Sequence, residues 1–306
     1  MSVQWILTDR QGQEHLLPAV QRGEVDRAED APADSAAGTF AVRSPLPEGA
    51  FLKILDGSRT IFEGPVDEQT RLQNQGRELL RLQARSRASL LLDNEAKPGS
   101  FFYPSLGRLW REYWKELGFP PVRGDERVFP GELVIRKGSS RWGVLEAFCR
   151  QYLEVTPRVG PDGVIDATGE VPGEEVWAGR GRLLRLAERL LPREVVSEVI
   201  SRTFADGEYG VKTVNEKAAS RGIRRVRYLN EAEGVKPSSR RLLQELNRRY
   251  HTVEAAFRGI LPLNVGDTLW VEGFPQAIRV TGVTLQWQQG TETTVIKGEV
   301  TDHVDG

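Results

Sequence analysis

The chain has 306 residues, which is too long for one ordinary hydrophobic core, so we expect two or three domains. Its 43 acidic and 42 basic side chains nearly cancel, and this balance lacks the clustered basic excess typical of a nucleic-acid-binding protein. A single cysteine excludes a disulfide framework and favours a reducing compartment, and no apolar run approaches the ~18 residues of a membrane span.

The first 96 residues have the pattern of short β-strands. Residues 51–55 alternate between apolar and polar side chains and end at an Asp-Gly turn, after which 60–66 form a hairpin partner and 78–84 a further strand. This spacing predicts a small β-barrel over 1–96. Residues 26–38 are rich in Ala, Asp and Glu with little apolar content, and we expect a mobile loop there.

Residues 97–190 predict a compact α/β insertion. A first helix is expected from the N-cap Ser105 to Gly118, because apolar side chains recur between them at helical spacing. A strand over 132–137 then leads into a second helix with a serine cap. An Asp-Gly hairpin follows at 162–163.

Residues 191–306 return to strands and predict a second β-barrel. An amphipathic stretch at 238–250 interrupts it as a helical insertion. Every second residue from Thr281 to Trp287 should lie on one face of a half-buried strand. The predicted strands of this region are 195–204, 210–214, 267–273, 277–287 and 292–300.

The two β regions resemble each other weakly in the order of their apolar residues and glycines. This pattern favours an internal duplication. A chain with two similar barrels can place six barrels in a ring by forming a trimer, and closed rotational symmetry is the usual state of such assemblies.

Ten positions form motifs that are spread over the chain: Gly64 in the first region, the run Leu92, Asp93, Asn94 and Glu95, then Gly138 and Trp142 in the middle, and Gly266, Asp267 and Gly282 in the last region. These motifs resemble those of phage tail baseplate hub proteins. The family is that of late control protein D, with relatives in prophages of Gram-positive bacteria. The resemblance covers most of the chain.

The resemblance implies a mixed β/α fold, with two small tube-protein-like β-barrels flanking the α/β insertion. It implies a homotrimer that forms a pseudo-sixfold ring between a hexameric tail tube or distal tail protein and a trimeric spike. A tape-measure protein is a further partner that it implies, and DNA is at most passing cargo. Such a hub is a structural protein without cofactor or catalytic residues. It is made in the bacterial cytoplasm and joins a virion or tail-like particle.

The two ends of the chain add two expectations. The N-terminal segment is too polar for a secretory signal, so export would occur by lysis or within an assembled particle. Because the chain stops at residue 306, just past the second predicted barrel, enzymatic or spike parts would be separate proteins.

The segment 133–168 also resembles a LysM glycan-binding repeat. It has a strand, then a serine N-cap, then an amphipathic helix, which the structural insertion of a hub would have as well. A LysM repeat usually has Asp-Thr where this chain has Ser139-Ser140. Peptidoglycan binding therefore stays open as an alternative to a purely structural insertion.

A cell-wall hydrolase is the enzymatic alternative. Asp93 and Glu95 could be nominated as a carboxylate pair, but a solvated turn is the favoured interpretation. His251 and His303 lack the close partners that a zinc site needs, and Cys149 lies in the apolar pattern of a helix. No Gly-x-Ser-x-Gly motif or phosphate loop occurs. The sequence therefore predicts no catalytic, metal-binding or cofactor-binding residue.

Two basic runs leave a second question open. They are Arg221–Arg227 and the pairs 240–241 and 248–249. Either run could contact nucleic acid. The favoured interpretation is a solvated face or ion pairs between subunits.

Overall fold

The computed structural model describes residues 3–74, 76–160, 162–169, 173–202, 208–230, 239–248, 250–288 and 290–300. The chain divides into two compact units. Unit 1 contains Met1–Val171 and Thr284–Thr293, and unit 2 contains Pro172–Val283 and Thr294–Gly306. Within the described ranges, no helix is long and apolar enough to cross a membrane.

Unit 1 begins with an antiparallel sheet in the order β3–β4–β7–β6–β5–β1–β2. Buried and exposed residues alternate along its strands, as a sheet with one covered face requires. The predicted strands at 51–55, 60–66 and 78–84 are confirmed. The strands are β1 (Gln4–Asp9), β2 (Glu14–Leu16), β3 (Val20–Ala28), β4 (Ser35–Val42), β5 (Gly49–Asp56), β6 (Arg59–Asn74) and β7 (Arg77–Arg85).

The prediction of a mobile loop at 26–38 is wrong. Most of this segment belongs to the antiparallel pair β3 and β4. Its residues are small because aromatic rings lie against the strand: a Cβ added at Gly38 would come within 2.6 Å of the Phe40 ring. Arg27 is buried and pairs with Asp34, with Nε 3.3 Å from Oδ2. Packing against aromatic rings and a buried ion pair therefore select small and charged residues in this segment, and such a composition is also typical of loops.

The second part of unit 1 has a hydrophobic cluster of its own, made of buried residues between Leu91 and Ala167. Strand β8 pairs with β9, and β10 pairs with β11. Helix α2 continues into a π-helical turn, Trp110–Trp114, and then a 3₁₀ turn, Lys115–Leu117. Helix α3 likewise continues into a π-helical turn, Cys149–Leu153. The elements are α1 (Ser89–Asp93), β8 (Gly99–Phe102), α2 (Leu106–Leu109), β9 (Glu132–Ile135), α3 (Arg141–Phe148), β10 (Arg158–Val159) and β11 (Ile165–Asp166).

The caps predicted for the first helix of this part are confirmed. The Ser105 hydroxyl accepts the backbone N–H of Arg108, and Gly118 ends the helical segment in the left-handed conformation, with φ of 80°. The predicted hairpin at 162–163 is also confirmed, because β10 and β11 flank it and Gly163 has a φ of 75°.

Unit 2 contains a sheet in the order β13–β17–β20–β19–β18–β12, and β12 runs parallel to β18. A separate three-stranded sheet has the order β15–β14–β16. Residues 284–293 of the β19–β20 hairpin belong to unit 1. The elements are β12 (Glu175–Ala178), β13 (Leu183–Leu190), β14 (Glu198–Arg202), β15 (Tyr209–Val214), α4 (Glu216–Ser220), β16 (Val226–Asn230), α5 (Ser239–Arg248), β17 (His251–Arg258), β18 (Thr268–Val271), β19 (Ile278–Gln288) and β20 (Thr291–Val300), with 3₁₀ turns at Arg180–Arg182 and Pro192–Glu194.

Two details of unit 2 differ from the sequence-based expectation. Strands β12 and β13 lie within the predicted insertion 97–190, yet they pair with β18 and β17. These partners are distant in the chain, so local patterns could not reveal them. Along β19 the alternation shifts at Gly282 and Val283, which are both buried, so only Val283, Leu285 and Trp287 of the expected face are buried. The helix predicted at 238–250 is confirmed as α5.

Candidate assembly surfaces

Asp93, from the run that resembles the hub family, is part of an arginine-centred joint. The guanidinium of Arg85, at the end of β7, donates two hydrogen bonds to Asp67 at 2.8 and 2.9 Å and two to Asp93 at 3.1 and 2.7 Å. The bond to Asp67 is the largest cause of the raised pKa of Arg85, followed by the bond to Asp93. The joint therefore fastens α1 to the β6–β7 pair through two bidentate contacts.

The next two residues connect α1 to the start of α3. The side-chain amide of Asn94 donates to the backbone carbonyl of Leu90 at 2.7 Å, and the backbone carbonyl of Asn94 accepts the backbone N–H of Arg141 at 2.9 Å. The Glu95 carboxylate accepts the N–H of Gly138 at 2.8 Å. Leu92 packs against the hydrophobic cluster of the insertion. The run is thus a structural connector inside unit 1.

Gly138 and Trp142 lie on either side of the cap of α3. Gly138 has a φ of 87°, which favours glycine, and it begins the turn that places Ser140 at the N-cap. The Ser140 hydroxyl accepts the N–H of Gly143 at 3.0 Å. Trp142 is buried in the cluster of the insertion. Both family-like positions therefore shape the strand–turn–helix segment.

Gly266 and Asp267 hold the start of β18. The N–H of Gly266 donates to the carbonyl of Val280 at 2.7 Å. Asp267 is buried, and its carboxylate accepts the N–H groups of Glu174 at 3.0 Å and Asn264 at 2.6 Å. One side chain thus joins the segment before β12 to the turn before β18.

Gly64 and Gly282, two of the hub-like positions, lie on strands β6 and β19. A Cβ added at Gly64 would lie 1.9 Å from the carbonyl oxygen of Arg85, so the close approach exists and lies within the chain itself. Gly282 is buried in β19. Whether either glycine also matters for contacts between subunits stays a prediction.

The side chains considered for catalysis have structural partners in the described residues. Asp93 contacts Arg85, and Glu95 contacts Gly138. His251 is buried, with Nε2 2.6 Å from a Glu188 carboxylate oxygen. His303 lies outside the described residues. The described part of the chain has no group of three or more His, Cys, Asp or Glu side chains that could hold a metal ion.

Cys149 also has a structural environment. The thiol is buried in the cluster of the insertion, and burial raises its pKa to about 12. A nucleophilic cysteine needs a lowered pKa, so this environment favours a packing role. The prediction of a buried cysteine is confirmed.

Two strands with a free edge in unit 2 were not singled out from the sequence. Among the described residues, β13 pairs only with β17, and β12 pairs only with β18. Neither face of β13 is well covered, and Leu184 and Leu190 are more than half exposed. On β12, Trp177 is 71% exposed and stacks on Trp270 with ring centroids 5.3 Å apart. The sequence feature that could have identified β13 is the presence of apolar residues on both faces of 183–190, which indicates a strand with surface left for a further partner.

Comparisons with known proteins identify the fold. No protein-family model and no curated protein matches the chain. The prophage MuSo2 43 kDa tail protein from Shewanella oneidensis is similar in structure, with a TM-score of 0.77 at 14% identity over 99% of both chains. The tail protein from Neisseria meningitidis MC58 has a TM-score of 0.75 at 15% identity, over 99% of this chain and 97% of that one.

A third similar structure comes from a secretion machine. The E. coli c3393 protein is described as a component of the type VI secretion system, with structural similarity to the T4 bacteriophage tail proteins gp27 and gp5. Its TM-score is 0.58 at 11% identity, over 100% of this chain and 79% of that one. The chain therefore has, over nearly its whole length, the fold found in prophage tail proteins.

Proposed function

We propose that the protein is the structural baseplate hub of a phage or phage-tail-like particle. The observation that carries the proposal is the likeness to prophage tail proteins, which extends over 99% of this chain and of the Shewanella protein. Because the alignment covers nearly all of both chains, the two proteins share their whole described fold and not only one domain. The roles that the structure gives to the hub-like motif residues are roles in packing and connection, which suits an assembly protein.

The proposed assembly is a homotrimer in which two barrel-like domains of each chain form a pseudo-sixfold ring around the insertion. The free edges of β12 and β13 support this arrangement, because unpaired strands readily accept a neighbouring chain. The ring would contact a hexameric tail tube or distal tail protein on one side and a trimeric spike on the other. The E. coli protein of similar structure is described as a component of a secretion system and as structurally similar to two T4 tail proteins, and this description supports a place in a tail-like machine. In this role the hub has no enzymatic activity and no cofactor.

Light scattering on the purified full chain, alone and with its neighbouring spike protein, tests the proposal. We expect the protein alone to have a mass about three times the 34.3 kDa of one chain, or to form with the spike a complex that contains three copies of the chain. A monomer that ignores the spike, and that remains a monomer at high protein concentration, would contradict the hub assignment.

Peptidoglycan binding by the LysM-like segment 133–168 is a second candidate. One observation favours it: Phe102 and Val134, on neighbouring strands β8 and β9, and the adjacent Tyr103 are all more than half exposed. Tyr103 has a φ of 52°, and such backbone conformations concentrate at functional sites. Co-sedimentation with purified peptidoglycan tests this candidate. Loss of binding in Tyr103→Ala would support it, and equal binding by both proteins would remove this surface from consideration.

A further inference from the structure

Strands β14, β15 and β16 and helices α4 and α5, all within residues 195–250, follow β13 and precede β17 in the chain and form a small module. Its sheet, β15–β14–β16, is covered on one face by α5, where Val196, Val199 and Leu243 are buried together. The side chain of Asn247 fastens the helix to the sheet, since it accepts the N–H of Val196 at 2.8 Å and donates to the carbonyl of Val196 at 3.1 Å. The module therefore has a covered side and an open side.

The open side of this sheet is apolar and aromatic. The register places Ile200 of β14 opposite Tyr228 of β16, on the face away from Val199. Tyr228 is 65% exposed, and its ring lies edge-on to that of Tyr209, with centroids 5.2 Å apart. Val214 and Val226 extend this surface and are also exposed. We call Tyr209, Tyr228, Val214 and Val226 the open face, and Ile200 at their centre is itself buried, with 9% of its surface exposed.

Strand β16 also has a free backbone edge. It is hydrogen-bonded to β14 on one side, and in the described part of the chain no strand lies on its other side. Its side chains alternate: Val226 and Tyr228 belong to the open face, whereas Arg227 points to the opposite side of the strand. A strand added at this edge would place its own side chains alternately beside Tyr228 and beside Arg227.

The approach to this edge carries uncompensated positive charge. The module has twelve Lys and Arg residues against seven Asp and Glu, although the whole chain is nearly neutral. Arg224, Arg225 and Arg227 donate to backbone carbonyls. Among the residues that the structure describes, none of the three forms an ion pair with a carboxylate. Their charge is available to an acidic partner.

We propose that β16 is a docking edge for an extended acidic segment of a partner protein, which adds as a fourth strand to the sheet β15–β14–β16. The segment would alternate apolar residues, which cover the open face, with Asp or Glu residues, which pair with Arg227 and its neighbours. Strand addition combines backbone hydrogen bonds for affinity with side-chain pockets for specificity. The inference goes beyond the proposed hub function and does not depend on ring formation.

The chemistry of the open face favours a protein over a single-stranded nucleic acid. Val214 and Val226 are aliphatic, and stacking platforms for bases are built from aromatic rings beside cations. On this face Lys212 already pairs with Glu198 at 3.1 Å, so its charge is not available to a phosphate. Aromatic residues and arginine together are typical of protein interfaces.

Fluorescence anisotropy on the full-length protein tests the proposal. The probe is a labelled peptide of about eight residues with alternating glutamate and valine. A peptide of the same composition, with the glutamates in one block, controls for charge alone. Labelled oligothymidylate of similar charge reports nucleic-acid binding. The protein variants are Arg227→Glu and Tyr228→Ala, and the matched control is Arg150→Glu, at an exposed arginine of unit 1.

We expect the alternating peptide to bind at least about tenfold more tightly than the block peptide, and both variants of β16 to weaken it about tenfold. The Arg150→Glu variant should bind like the wild type. Hydrogen exchange should slow in β16 and stay unchanged in β15 when the peptide binds. Equal binding of the two peptides, no protection of β16, or tighter binding of oligothymidylate through Arg227 and Tyr228 would overturn the proposal.

Discussion

Single residues of this protein are constrained mainly by close packing and by backbone hydrogen bonds. Gly64 leaves no room for a side chain, and Asp267 accepts two backbone N–H groups in a buried position. The sequence singled out both positions only through their resemblance to motifs of baseplate hub proteins. It could not tell which atoms they contact, since those atoms belong to distant segments.

Substituting Gly64 tests the close approach of β6 to the end of β7. We expect Gly64→Ala to lower the free energy of unfolding by about 3 kcal/mol, because the new Cβ would overlap the Arg85 carbonyl oxygen and the backbone must move. Urea denaturation measures the change. Gly107→Ala is the control, because nothing lies within 4 Å of its Cβ in α2, and it should be neutral or stabilise by about 0.5–1 kcal/mol. Equal stability of the two variants would contradict the described packing.

Asp9 makes the stability of the first hairpin depend on pH. Its carboxylate accepts the N–H groups of Gln11 and Gln13 and contacts Nε2 of His15 at 2.8 Å. The hydrogen bond with His15 is the largest cause of its lowered pKa. A lowered folded-state pKa means that the ionised form stabilises the fold. This contribution is complete above the unfolded-state pKa of ~3.9 and is lost as the pH falls through the folded-state pKa below it.

The measurement for Asp9 is the urea midpoint as a function of pH. The wild type should lose more stability between neutral and strongly acidic pH than Asp9→Asn, which lacks the titrating carboxyl. Asp30→Asn, at an exposed aspartate, should follow the wild type. A wild-type profile that coincides with that of Asp9→Asn would show that Asp9 contributes nothing to the pH dependence.

At the scale of elements, helices and tight hairpins were predicted well, and several strands were not. The helical segment that begins at Ser105 and ends at Gly118 was predicted because its caps are local signals. The end of β3 and the start of β4 were mistaken for a loop, since their small and charged residues are explained only by the rings and the ion pair they contact. Strand β13 was missed because its partner β17 lies beyond the inserted module.

The N-cap of α3 gives a prediction at this scale. Ser140→Ala removes the hydroxyl that accepts the N–H of Gly143, and we expect a loss of about 1 kcal/mol in the free energy of unfolding. Ser139→Ala is the matched control, because the neighbouring serine contributes only its backbone to the described hydrogen bonds. Thermal or urea unfolding of both variants measures the difference. If Ser139→Ala were the more damaging change, Ser140 would not be the functional cap.

At the scale of the whole molecule, an isolated chain leaves apolar strand surface uncovered. Strand β13 has eight residues, and none of them is fully buried. Long exposed edges are normally blocked or paired, because they otherwise promote aggregation. The proposed trimeric ring would pair such edges, which gives a physical reason for their exposure in one chain.

Charge placed on β13 should separate folding from assembly. We expect Leu184→Glu to leave the monomer folded, since the side chain is 53% exposed, and to reduce the trimer fraction in light scattering by at least about tenfold. Val128→Glu is the control, because Val128 is 63% exposed but does not lie on a strand, and it should assemble normally. Normal assembly of Leu184→Glu would move the ring interface away from β13.

The sequence by itself determined where helices begin at serine caps, which hairpins turn at Asp-Gly, and that the chain combines many β-strands with fewer helices. These features depend on residues close together in the chain, whose hydrogen bonds and dihedral angles are encoded locally. Only the tertiary structure decided that β12 and β13 join unit 2 and that Arg85 binds Asp67 and Asp93. It also decided that β13 and β16 each have one edge without a neighbouring strand among the described residues. Those features depend on pairing between distant segments, which local composition and periodicity do not record.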